Sequence, residues 1–144
     1  MRERRPFYRV YTVTKQEAAA QQIEAAILAF HAGYFAVTIT LAGAAEDMAS
    51  GKPNGLWESI RDNPNRRFED RTKWIDRLNE TRNWLKHEKP NLEQSRNLVA
   101  FEAGLFILRA MDKWEPWTPP MIAFKDLWFS SDKLLRPDDY LPET

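Results

Sequence analysis

A chain of 144 residues, 43% of them hydrophobic, can bury one core and has no length for a second. Its 21 basic and 21 acidic residues cancel, so no global field directs it to nucleic acid or membrane, although a catalytic site needs only a local basic patch. The absence of cysteine excludes disulfide scaffolds, thiolate zinc sites and cysteine nucleophiles.

Arg2-Glu3-Arg4-Arg5 has the charge of a signal-peptide opening, but Pro6 to Val13 contains Arg9 and Thr12 and supplies no apolar core for export. The longest weakly polar stretch, Ala32 to Ala45, is too short for a bilayer span, which needs about 20 residues. The expected location is the cytoplasm, with no membrane partner. Residues 1–14 read as an extended arm, 15–130 as one helical bundle and 131–144 as a polar tail.

In the arm, Phe7-Tyr8-Arg9-Val10-Tyr11-Thr12-Val13 is aromatic and β-branched, as in an extended segment or short strand. Thr14-Lys15-Gln16-Glu17 has the form of a capping box, and Ile23, Ile27, Phe30 and Tyr34 follow at helical spacing, which predicts a first helix from Lys15 to Ala32. Val37-Thr38-Ile39-Thr40-Leu41 alternates like a strand, but the alanines around it favour helix. A buried central helix is predicted, with Gly43 and the alanines allowing close approach.

Gly51-Lys52-Pro53-Asn54-Gly55 is a break, and Leu56 to Arg61 reads as a short helix. Arg66 to His87 is long, charged and amphipathic, and Lys89-Pro90 ends it. Asn91 with Gln94 predicts the cap of a further helix carrying Leu98, Phe101, Leu105 and Leu108. Trp114 to Pro120 is a connector, and Met121 to Phe129 a last helix. The fold class is all-α, an up-and-down bundle of four to five helices.

Two stripes mark the long charged helix. Phe68, Arg71, Ile75, Leu78, Arg82 and Leu85 step by three and four and predict the packing face, on which each arginine must snorkel or meet an anion. Asp76, Glu80, Asn83 and His87 form a polar stripe, the ordinary explanation of which is a solvated face.

The run Arg82-Asn83-Trp84-Leu85-Lys86-His87 resembles the Arg-(Asn/Asp/His)-x3-His motif of HEPN domains, small helical bundles that carry it near the end of a late helix. The resemblance covers roughly residues 15–113, but its specific part is this run. It implies a metal-independent endoribonuclease without cofactor, as in toxin–antitoxin, phage-defence and RNA-processing systems. Arg82, Asn83 and His87 would be catalytic, with Lys86, Trp84 and Arg71 as substrate contacts. It also implies an acidic residue on an earlier helix near the motif, for which Glu46 and Asp47 are candidates. Glu102 is a third supporting acid, expected to pair with Arg71 or Arg82.

The residue types suit RNA cleavage. A histidine can take the proton of a 2′-hydroxyl, and an arginine can stabilise the phosphorane. On a straight helix, residues five apart differ by about 140° in azimuth, so Arg82 and His87 of one chain diverge. HEPN nucleases resolve this as dimers with both motifs facing one cleft, which implies a homodimer through this helix. The alternatives are a non-catalytic HEPN-like module that binds RNA, nucleotide or a protein such as an antitoxin, and an unrelated helical interaction protein. Six tryptophans are present. Five of them, Trp57, Trp74, Trp114, Trp117 and Trp128, read as core and interface packing.

Overall fold

The computed structural model describes residues 6–49, 55–56, 58, 71–87 and 93–130. Among them are five α-helices and no strand: α1 (Lys15–His31), α2 (Phe35–Asp47), α3 (Arg71–Lys86), α4 (Ala100–Met111) and α5 (Pro119–Ser130). The expected all-α bundle is what forms. The 56–61 helix falls mostly outside the described residues, and the start of the charged helix before Arg71 and the 131–144 tail fall wholly outside them.

α1 begins where the sequence places it. The Thr14 hydroxyl accepts from the Glu17 backbone N–H at 3.0 Å and faces the Glu17 carboxylate at 3.2 Å, so an otherwise unpaired helix donor is satisfied. Its end is set by Gly33, whose φ of +81° is open to glycine at no steric cost. Gly33 N–H then donates to Phe30 C=O and Tyr34 N–H to Ala29 C=O, the paired bonds of a Schellman turn. The turn brings α2 back along α1, where Ala19, Ala26, Ala42 and Ala45 are buried and let the backbones approach. Thr38 fits this seam by donating to Ala26 C=O across it, at 3.1 Å.

α2 is helical as expected but not buried all round. Thr38, Ile39, Ala42, Gly43 and Ala45 face inward, whereas Ala36, Val37, Thr40, Ala44 and Asp47 are exposed. The central helix is instead α4. Every residue from Phe101 to Leu108 is buried, with α1, α2, α3 and α5 arranged around it. Gly104 makes room for the Trp128 indole of α5, which stacks on Phe101 at 5.0 Å; Phe101 in turn meets Trp74 of α3 at 4.9 Å.

The start of α4 departs from the expected cap. Asn91 lies outside the described residues, and residues 93–99 are not helical; α4 begins at Ala100. Side chains of α3 and of the segment itself occupy the groups that a helix would use. Trp84 Nε1 donates to Glu93 C=O at 2.9 Å, the Arg77 guanidinium donates to Asn97 C=O, and Arg96 donates to Thr81 Oγ1 at 3.0 Å. The segment is thereby strapped to α3 in an irregular course. At the other end of α4, Trp117 Nε1 caps Met111 C=O at 2.9 Å, and Pro119 opens α5 at a position that needs no N–H.

Candidate functional site

The packing face of α3 is rotated from the predicted stripe. Trp74, Leu78 and Thr81 are fully buried and Arg77 nearly so, while Ile75, Arg82 and Leu85 are half-buried. Simple period counting favours the aliphatic residues; the large apolar surface of Trp74 and its ring contact with Phe101 set the phase instead. The side chain of Arg71 lies outside the described residues, as does Phe68.

Arg82 sits at the seam of α2 and α3. Its Nη2 pairs with Asp47 and also donates to Gly43 C=O at 3.0 Å. The guanidinium lies over Gly43, where a Cβ would stand 3.4 Å from Arg82 Nε, in ordinary van der Waals contact. The Asp47 carboxylate is shared with Lys86 at 3.4 Å. Burial pushes the Asp47 carboxyl up, but the hydrogen bonds and charges of Arg82 and Lys86 outweigh it and hold its pKa below the ordinary 3.8. Ile39, Thr40, Ala44 and Leu85 complete a small groove of about 160 Å³ with this charged cluster at one end.

His87 follows directly after the last residue of α3. Its backbone N–H continues the helical pattern to Asn83 C=O at 3.1 Å, and both side chains are exposed. Asn83 and His87 thus lie on the solvated side, as their stripe predicts, and Arg82 lies on the packed side. Trp84 is half-buried, and its indole N–H is engaged by Glu93 C=O.

Of the acids, Asp47 joins the motif and the other two do not. Glu46 pairs with Arg109 at 2.9 Å, on the α4 side of α2. Glu102 does not pair with Arg82, and the side chain of Arg71 lies outside the described residues. Glu102 is fully buried, accepts from Thr81 Oγ1 at 2.8 Å and faces Arg77 Nε at 2.9 Å. Arg77 rather than Arg82 lies at the buried centre of the α3–α4 contact, so Glu102 meets Arg77. Desolvation is the largest influence on Glu102 and raises its pKa above the usual 4.5, despite Thr81, Arg77 and Arg96. The same burial lowers Arg77.

Arg77, Arg96 and Arg109 are partners that the sequence patterns did not single out. A signal for two of the pairs was present: Glu102 and Arg109 are the only charges in the otherwise apolar run from Phe101 to Met111. Charges in such a run have to be paired when buried. Among the described residues, no three histidine, aspartate or glutamate side chains converge as a metal site, and no helix is long and apolar enough to cross a membrane. No protein-family model, curated protein or solved structure matches the chain.

Proposed function

We propose that this chain is a HEPN-like, metal-independent endoribonuclease that works in the cytoplasm as a homodimer, in the manner of a toxin or phage-defence effector. The observation that carries the proposal is the α2–α3 seam, where Asp47 holds Arg82 and Lys86 one residue before an exposed His87. A fixed guanidinium beside an exposed ammonium suits a phosphodiester, and an exposed imidazole can reach the ribose next to it.

In the proposed reaction His87 takes the 2′-hydroxyl proton and the 2′-oxygen attacks the adjacent phosphorus. The bond to the 5′-oxygen breaks, and that oxygen leaves with a proton from a second imidazole or from water. The products are a 2′,3′-cyclic phosphate and a 5′-hydroxyl. Arg82 neutralises the phosphorane, Asn83 orients the imidazole or the phosphate, and Lys86 draws in the RNA. Since Arg82 is turned to the packed side and His87 to solvent, each site takes Arg82 from one protomer and His87 from its partner.

Purified protein incubated with total RNA in EDTA is expected to leave 2′,3′-cyclic ends, and Arg82→Ala and His87→Ala are expected to abolish the cleavage. Cleavage indifferent to His87, or RNA bound and never cut, overturns the proposal. The second reading, a non-catalytic HEPN-like module for RNA, nucleotide or a protein such as an antitoxin, is favoured by one observation. Arg82 Nη2 is already occupied by Asp47 and the Gly43 carbonyl.

A further inference from the structure

The arm that precedes α1 is out of character with the rest of the molecule. After a single 3₁₀ turn at Pro6–Tyr8 it has no regular structure up to Thr14, and it presents Phe7 at 95%, Tyr8 at 72% and Tyr11 at 70% exposure. Three nearly naked aromatic rings in five residues are unusual for a soluble surface, which normally shows such side chains singly. Arg9 stands among them with its guanidinium carbon 5.1 Å from the Tyr11 ring centroid, and no carboxylate among the described residues pairs with it.

The charge of this segment is also asymmetric. Residues 1–14 contain four arginines against one glutamate, in a chain whose net charge is zero. The root of the arm is fixed: Thr14 caps α1, and Gln16 Nε2 donates to Glu115 C=O at 2.7 Å, on the connector between α4 and α5. The side chains of Phe7, Tyr8, Arg9 and Tyr11 therefore project from a fixed root.

We propose that residues 7–11 form a binding arm for single-stranded RNA, in which Tyr8, Tyr11 and Phe7 stack on bases while Arg9 contacts the phosphodiester backbone. The inference rests on the ribonuclease reading for its substrate class and adds a contact surface separate from the Arg82–His87 run. Exposed rings interleaved with cations suit an unpaired strand, because every base offers a π-face and every linkage a negative charge. A duplex hides those faces. A polyanion meets this basic segment with a negative charge at every linkage.

The test uses the full chain and a fluorescein-labelled 2′-O-methyl oligouridylate, which cannot be cut by 2′-hydroxyl attack, with fluorescence anisotropy as the readout. Wild type is expected to bind it and to bind an RNA duplex far more weakly. Tyr8→Ala and Tyr11→Ala are each expected to weaken binding about tenfold, and Tyr8→Phe and Tyr11→Phe to retain it. Arg9→Ala is expected to reduce the slope of log K against log salt by about 0.7. Circular dichroism should be unchanged in all of them, since these exposed side chains are no part of the core.

Absent binding by wild type, or affinities indifferent to the alanine variants, overturns the proposal. So does a loss of dimer in sedimentation with RNA affinity unchanged, which would assign the arm to a protein contact. The ribonuclease reading is tested apart, by cutting of unmodified RNA. Failure to cut with arm-dependent binding intact removes only that reading.

Discussion

Gly104→Ala places one methyl group where the structure has no room. A Cβ at position 104 would stand 2.5 Å from Trp128 Cζ3 and 3.1 Å from Cε3, against a carbon–carbon contact of roughly 3.5–4 Å. The ring cannot retreat cheaply, because Trp128 is 1% exposed and is wedged against Phe101 at 5.0 Å and Phe124 at 6.5 Å. Overpacking of this kind costs about 1–3 kcal/mol, and a rigid buried ring puts the cost near the top of that range. Alanine gives back about 1 kcal/mol in helix propensity. The net expectation is a loss of about 2 kcal/mol, which for a domain of this size lowers the thermal midpoint by roughly 6 °C. Circular dichroism melts of wild type, Gly104→Ala, Trp128→Phe and the double variant measure it. The smaller phenyl ring of Trp128→Phe would vacate part of the indole's space, so the double variant should be more stable than the summed single effects by about 1 kcal/mol or more. A Gly104→Ala midpoint at or above wild type refutes the reasoning, because it would mean that α4 and α5 separate at no cost.

The pairing of Asp47 with Arg82 and Lys86 leaves Asp47 half-exposed, so Asp47→Asn should cost under about 1 kcal/mol in a urea titration. On the ribonuclease proposal, the same variant should lower the cleavage rate by about tenfold to a hundredfold, because Arg82 loses its anchor. Asp47 also gives a pH signature: its pKa is depressed in the folded state, so its contribution is present above 3.8 and lost as pH falls below. Glu102 has the opposite sign. Its raised pKa means that its contribution is full below 4.5 and declines as pH rises through the folded value, so wild type should lose ground to Glu102→Gln over the pH window above 4.5. Urea midpoints over that window check it, and a wild type that gains on the variant contradicts it. Finally, on the proposed dimeric ribonuclease, co-expressed Arg82→Ala and His87→Ala chains should recover about a quarter of wild-type cleavage, since half of the dimers would be mixed and each would have one intact site. Recovery of none would place any site within a single chain.

The fold was legible where local chemistry decides it. Thr14 and Glu17 mark the start of α1 in the sequence as they do in space, and the end expected at Ala32 falls one residue past the observed His31. The fourth helix was less legible, because Gln94 has the form of a cap residue while the true determinant is non-local. Glu93, Arg96 and Asn97 are held by Trp84, Thr81 and Arg77 of α3, and no spacing within residues 91–99 records that. The phase of α3 is hidden for a related reason. Ile75 and Leu85 look apolar enough to define a face, but Trp74 has the larger surface to bury and Arg77 has a buried carboxylate waiting on α4. Burial is thus decided by the partner helix as much as by the stripe.

The same logic separates the two arginines of α3 by role. Arg77 is held on the interior side by Glu102 and the Asn97 carbonyl, in a cluster where desolvation dominates both charges. Arg82 is held five residues later by a half-exposed Asp47, at the edge of a groove, where solvent reaches the pair. An anion arriving at Arg77 would have to displace a buried carboxylate and break the α3–α4 contact. One arriving at Arg82 displaces at most a screened ion pair worth about 1 kcal/mol or less. If α3 binds phosphodiester at all, Arg82 is therefore the arginine that can do so without unfolding the bundle. The exposed His87 beyond it can meet that phosphodiester only from the solvent side.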